Sequence, residues 1–347
     1  MALKRGDSVI CSLCPSMFAE REHELLKSPS YSVSTFRYRS GVEAVKVRAG
    51  RGEFIWLPYL GQQLWDWSVD GKSRKFIGFV DEPSYGKNFL QNYGGFLIHC
   101  GMTAMGNPGA GDAHLHHGEL PIARFDEAWI EMGQEDGRET LSLGGCIHWH
   151  VPFVAEYRCE PTLSISPDGL TLRAEVRLEN LMASTLEYMY LAHINFPFSG
   201  AKLMSTIPFD AKHIVIQKEI FPGMAADPET IKLMDQATAY EPELVAIVNA
   251  KDVAGISAGS ILERGDGTAF WVSQETRELD HYVIWITHNV DRGACGFHLP
   301  STAGPRGLAA EKALGNVKRL APGGDVTLRY ACGFCDKLED APVHGAR

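Results

Sequence analysis

Short runs in which apolar and polar residues alternate dominate the chain. In Thr171–Leu178, Leu172, Ala174, Val176 and Leu178 point one way and Thr171, Arg173, Glu175 and Arg177 the other. That period of two is what a half-buried strand requires. Pro167-Asp168-Gly169 just before it is a turn signal, joining it to an antiparallel neighbour at Thr162–Ser166. Runs of the same character recur at Tyr31–Arg39, Val42–Arg48, Glu53–Leu57, Glu127–Met132, Glu139–Leu143, Glu187–Phe196, His213–Gln217, Leu244–Asn249, Ala269–Ser273, His281–Thr287 and Val326–Cys332. Helical signals are confined to Ser16–Lys27 and Asp227–Met234. Many strands with few helices predict an all-β sandwich or barrel.

A chain of 347 residues suggests two domains by length alone, but large β folds run well past 200 residues as one. No repeat, low-complexity tract or linker interrupts the runs. We therefore expect one domain over 31–335, with 1–30 an N-terminal extension and 336–347 a tail. Hydrophobic residues make up 45% and charged residues 22%, ample for a core. A net charge of −10 without a basic stripe argues against nucleic acid as a partner. No run of 18 apolar residues exists, so no membrane helix is expected. The first residues carry Lys4, Arg5 and Asp7 and do not read as a secretory leader. Eight cysteines without such a leader point to a reduced, cytoplasmic setting.

Histidine carries most of the candidate chemistry. Asn92–Ala123 holds His99, His114, His116, His117 and Glu119. Leu186–Phe198 holds His193 and Asn195 in an otherwise apolar and aromatic run, and Cys295–Gly307 holds His298 and Arg306. Four motifs occur in order. Tyr38, Ser40, Gly41 and Glu43 are followed by Leu57, Pro58, Gly61 and Trp65. Gly94, Gly95, Cys100 and Gly101 lead to His117, Gly118, Pro121 and Ala123. His193, Asn195 and Pro197 form His-x-Asn-x-Pro, and Gly315, Asn316, Val317, Leu320, Pro322 and Gly323 close the set. Over roughly residues 31–332, this order resembles a less characterised branch of the aldose 1-epimerase (galactose mutarotase) superfamily.

The resemblance implies a galactose mutarotase-like antiparallel β-supersandwich with a cleft for a small sugar. It implies His117 as the histidine that steadies the sugar and His193 as the general acid on the ring oxygen. Opening a hemiacetal needs a proton delivered to the ring oxygen and one removed from O1, and imidazole can exchange protons near neutrality. The glutamate base of that superfamily falls here in Phe297-His298-Leu299-Pro300, so His298 becomes the expected base. That departure leaves open epimerisation of a modified sugar. His99, Asn195, Arg306, Glu119 and Trp65 are the expected substrate contacts; Trp56, Trp65 and Trp67 each have the surface to stack on a sugar face, and most of the three are expected to be core.

Other readings remain open. His114-x-His116-x-x-Glu119 and His148-x-His150 have the spacing with which two histidines project from one side of a strand, so a divalent-metal-dependent sugar isomerase or lyase using this histidine cluster is an alternative to a cofactor-free site. Cys11-x-x-Cys14 and Cys332-x-x-Cys335 would form a structural zinc site only if the fold joins the two ends. Gly106–Gly111 lacks the Gly-Lys-Ser/Thr ending and helix of a phosphate loop, and reads as a loop beside a site. A binding protein that has lost its base is the non-enzymatic alternative, and a homodimer is left open.

Overall fold

The structure is a computed structural model that describes residues 2–5, 8–86, 88–198, 202–224, 227–232, 238–251 and 257–346. Two antiparallel sheets carry the fold. The smaller runs in the order Ala2–Arg5, Ser8–Ser12, Glu127–Glu135, Arg138–Val151, Ala155–Ile165, Thr171–Asn180, Asp325–Cys335, Ala269–Glu275, Ser257–Glu263 and Lys202–Ser205. The larger has the central order Ile214–Lys218, Tyr240–Asn249, His281–His288, Gly293–Ser301, Leu186–Ile194, Leu97–Met102, Leu64–Val69, Gly52–Trp56, Glu43–Ala49, Tyr31–Arg37 and His23–Lys27. Leu308–Ala313 is the α-helix among the described residues, and no helix there is long and apolar enough to cross a membrane.

The alternation at Thr171–Asn180 is realised as expected. Leu172 pairs with Ile165 and Cys332, and Ala174 with Leu163 and Tyr330, so all these side chains share one face. Leu172, Ala174, Val176 and Leu178 are buried, each of the larger ones contributing about 1.5–3 kcal/mol by burial. The helical expectation at Ser16–Lys27 fails. Pro15–Met17 makes one 3-10 turn, and His23–Lys27 is a strand bonded to Tyr31–Arg37. Pairing with a neighbour overrides a weak helical propensity. Pro228–Lys232 is likewise one short 3-10 turn, and residues 233–234 lie outside the described residues.

Neither end behaves as an appendage. Ser8–Ser12 pairs with Glu127–Glu135, and Leu13 and Phe18 enter the core. Ala341 and Val343 are buried with Met204, Ile261 and Trp271 in a separate small cluster.

Polar side chains also bridge the two sheets through the interior. His99 on the large sheet lies 2.6 Å from the Tyr190 hydroxyl, which lies 3.1 Å from that of Tyr330 on the small sheet. His298 lies between Ser260 (2.8 Å from Nδ1) and Gln274 (2.9 Å from Nε2), both on the small sheet, and stacks on Tyr282 at 3.9 Å. Burial pushes His99 down to about 4 and His298 down to about 3.

Those shifts make stability depend on pH. Each histidine has its folded pKa below its unfolded value of about 6.5, so acid favours the unfolded chain. Unfolding free energy should fall as pH drops from about 6.5 toward 4, by up to about 1.4 kcal/mol per pH unit for each of the two. Urea titrations at several pH values measure this. His298→Gln should reduce the slope by one proton, and an unchanged slope would contradict the assignment.

Candidate active site

Side chains on the large sheet that point away from the small sheet form the floor of a cavity of about 320 Å³. Leu191 and His193 come from Leu186–Ile194, Glu243 and Val245 from Tyr240–Asn249, Val283 and Trp285 from His281–His288, and Leu299 from Gly293–Ser301. Loops supply Phe89, Leu90, Tyr93, Asn107, His116, His117 and Pro305 as walls. The volume lies within the range of small-ligand pockets, and a mostly apolar lining with a few converging polar groups is their usual composition.

His193 is buried and caged by rings. Tyr93 stands edge-on to it at 5.4 Å, Trp285 at 5.1 Å and His117 at 5.4 Å. Its Nδ1 lies 2.7 Å from Asn195 Oδ1, which also accepts the Tyr93 hydroxyl at 2.6 Å. Burial lowers His193 to about 4, against the opposing pull of the Asn195 contact and of the Glu243 charge.

His117 is presented by backbone. Its φ of 60° lies in the left-handed region, and its carbonyl accepts the Gly101 amide while its amide donates to Gly106. Gly118 follows at φ 80°, where a Cβ would lie 2.3 Å from the Ala104 carbonyl. Only glycine fits that approach. The half-buried His117 ring has no hydrogen-bond partner at Nδ1 among the described residues, and burial with three neighbouring histidines holds it well below its usual pKa. His116 stacks on Phe89 at 5.5 Å and meets the His117 ring at 4.5 Å.

Glu243 is the carboxylate of the cleft. Burial would raise its pKa, but hydrogen bonds from Lys218 and Trp285 and the Lys218 charge outweigh it, so the group stays below its ordinary value. Trp285 Nε1 donates to Oε2 at 2.6 Å, and Lys218 donates to the other oxygen. Sequence reasoning missed Glu243, Tyr93 and Trp285. A signal for Glu243 existed: it continues the face of Val245 and Ile247 one step beyond the run recognised from Leu244.

Several expected site residues are elsewhere. His298, the expected base, faces the interior because its neighbour Leu299 takes the cleft side, and both its ring nitrogens are bonded. His99 is turned inward for the same reason: it pairs with Ala192, whereas His193 pairs with Ile98. Glu119 is buried and clamps Thr103 and Tyr157 (2.7–2.9 Å), so it braces the fold and does not meet a ligand. Arg306 is committed to the fully buried Glu311 at 2.7 Å. Trp65 packs with Val42, Leu57 and Leu60 beneath Lys75, away from the cleft, and Trp56 and Trp67 are core. Asn195 is fully buried behind His193 and has no opening to a substrate.

The metal alternatives do not assemble. His114 bonds the Leu115 carbonyl, Glu119 is spent as described, and His148 pairs with Glu156 at an exposed strand end beside His150. Among the described residues no three His, Cys, Asp or Glu side chains converge to hold an ion. The strand of Cys11 and the strand of Cys332 and Cys335 lie five strand spacings apart in the small sheet, about 24 Å. Gly106–Gly111 is a loop, as expected, and its Asn107 lines the cleft.

A family model described as a domain of unknown function, DUF4432, matches residues 39–332, most of the chain. The chain belongs to the DUF4432 family. No curated protein matches this DUF4432 chain in sequence. Among solved structures it is similar to a candidate aldose 1-epimerase from Klebsiella pneumoniae, with TM-score 0.81 and 14% identity over 94% of this chain and 91% of that one. It also resembles a galactose mutarotase-like protein from Clostridium acetobutylicum (TM-score 0.59, 14% identity, 87% and 97% covered). A galactose 1-epimerase from Lactobacillus acidophilus follows (TM-score 0.56, 11% identity, 88% and 99% covered). These likenesses establish the galactose mutarotase-like supersandwich for the DUF4432 chain.

His298→Ala in this DUF4432 protein should destabilise it by about 2–4 kcal/mol, because Ser260 and Gln274 lose buried partners and a void remains. Thermal unfolding measures the loss. The cleft should keep whatever activity it has, and an intact fold with abolished activity would return His298 to the chemistry.

Proposed function

We propose that this protein is a carbohydrate isomerase of the aldose 1-epimerase kind, opening and reclosing the hemiacetal ring of a monosaccharide, plain or modified. The observation that most supports this is the meeting of His193, His117 and Glu243, from three separated stretches, in one small-ligand cleft. The His193 imidazole takes the proton of the anomeric hydroxyl. The C1–O1 bond becomes a carbonyl, the C1 to ring-oxygen bond breaks, and its electron pair goes to the ring oxygen. The imidazolium then returns its proton to that oxygen. The two oxygens share C1, so one imidazole serves both. Closure on the other face of the carbonyl gives the other anomer.

Glu243 has the supporting role. With Lys218 and Trp285 on its two oxygens it is a poor base, but its charge favours the imidazolium that forms at His193. His117 donates to a sugar hydroxyl and holds it in register. Trp285, Phe89 and Tyr93 offer apolar surface to the C–H face of a sugar.

Anomer exchange followed by NMR saturation transfer across a panel of aldoses tests this reading. At least one aldose should exchange faster with the protein present. His193→Ala should lower kcat by about 10²–10⁴-fold with the fold intact, and Glu243→Gln by about tenfold, the equivalent of one pKa unit. If no aldose exchanges faster while sugars still bind, the cleft is a binding site and the catalytic reading falls.

The pH profile adds a second check. His193 with a pKa of about 4 is neutral above that value, and the shuttle needs the neutral form to begin. The kcat/KM should therefore rise through about pH 4 and stay level from pH 6 to 8, whereas a decline between pH 5 and 8 would contradict the shuttle.

A further inference from the structure

Resting on that reading of the cleft, we infer that Asn195 is a positioning residue that fixes the proton of His193 on Nδ1 and leaves Nε2 as its working, proton-accepting nitrogen. The argument begins with the amide. Asn195 Nδ2 donates to two backbone carbonyls, Gly95 at 2.9 Å and His193 at 3.3 Å. Carbonyls only accept, so turning the amide over would set its oxygen against both of them. Its orientation is thereby decided by backbone, and Oδ1 must face His193 and Tyr93.

An amide oxygen cannot donate. At 2.7 Å from Oδ1, His193 Nδ1 must carry the proton, since two lone pairs at that distance repel. Tyr93 has the opposite tendency. Its hydroxyl lies 3.3 Å from the same Nδ1 and could donate to it, which would favour the other tautomer. It donates instead to Asn195 Oδ1 at 2.6 Å. Asn195 therefore accepts both donors and removes the competitor that would move the proton to Nε2.

The surroundings keep this choice from relaxing. The rings of Tyr93, Trp285 and His117 stand edge-on to the imidazole, and Asn195 itself is fully buried. With Nδ1 committed, the nitrogen left for a ligand is Nε2. The order of proton steps follows. The resting imidazole accepts first, so the anomeric hydroxyl is deprotonated before the ring oxygen is protonated.

Long-range ¹H–¹⁵N correlation of the histidine side chains, with His193 assigned by comparison with His193→Ala, reads the tautomer directly in the unmodified protein at pH 7. The expected result is a protonated Nδ1 and an unprotonated Nε2. Protonated Nε2 would overturn the inference. In Asn195→Leu the Tyr93 hydroxyl should become the partner of Nδ1, so the proton should move to Nε2 and kcat should fall by about 10²-fold with little change in KM. An unchanged tautomer in this variant would equally overturn it. Should Asn195→Leu fail to fold, Asn195→Asp serves: its carboxylate should keep the proton on Nδ1 and move the acid limb of kcat/KM up by one pH unit or more, and an unmoved limb counts against the inference. The tautomer is read without any turnover. A correct tautomer with no sugar exchange would sink the proposed reaction and leave the positioning role standing.

Discussion

The two-residue period of the strands at the centre of the large sheet governs the rest of the molecule. Leu186–Ile194, His281–His288 and Gly293–Ser301 are covered on both sides, by the small sheet beneath and by the cleft above. One side chain enters the interior and the next enters the cleft, with no exposed face to absorb an error. His99 and His298 point inward while His193 and Leu299 point outward. A shift of one residue in any of these strands would exchange the structural and cleft-facing sets wholesale.

That division also explains how four histidines of one sheet and its loops come to differ in use. In the interior pair, both His298 ring nitrogens are tied across the sheets to Ser260 and Gln274, and His99 Nδ1 meets the Tyr190 hydroxyl, which reaches Tyr330 on the small sheet. A buried polar group is tolerable only when so bonded. The cleft pair leaves a nitrogen unspent. Desolvation keeps His193 and His117 neutral, and Glu243 places one negative charge beside them. The arrangement is quiet at rest and favours charge only when a proton arrives.

Much of the architecture was legible in the sequence, because alternation is a local signal and strands such as Thr171–Asn180 obey it. The cleft was partly legible. His117 and His193 stand out through the glycine after one and the asparagine after the other. The choice of His298 failed because a motif position was read without asking which face of its strand it occupies. Glu119, Arg306 and Trp65 failed for a related reason: polar or aromatic residues near a motif were read as ligand contacts, when Thr103 and Tyr157, Glu311, and the Val42–Leu57–Leu60 cluster already claim them. Glu243 and Trp285 meet only through the pairing of Tyr240–Asn249 with His281–His288, a contact between segments some forty residues apart. No local pattern reports such a contact.

The loop that carries His117 is held by its main chain. Gly101 and Gly106 grip the peptide on either side of that residue, and Gly118 turns the chain away. The address of position 117 is therefore set by the main chain for any residue that tolerates its left-handed φ of 60°, such as asparagine, aspartate or glycine. Divergent descendants of this scaffold could exchange the imidazole for another short polar group and still deliver it to the same spot. Here chemical novelty is available by single replacement, without rebuilding the frame.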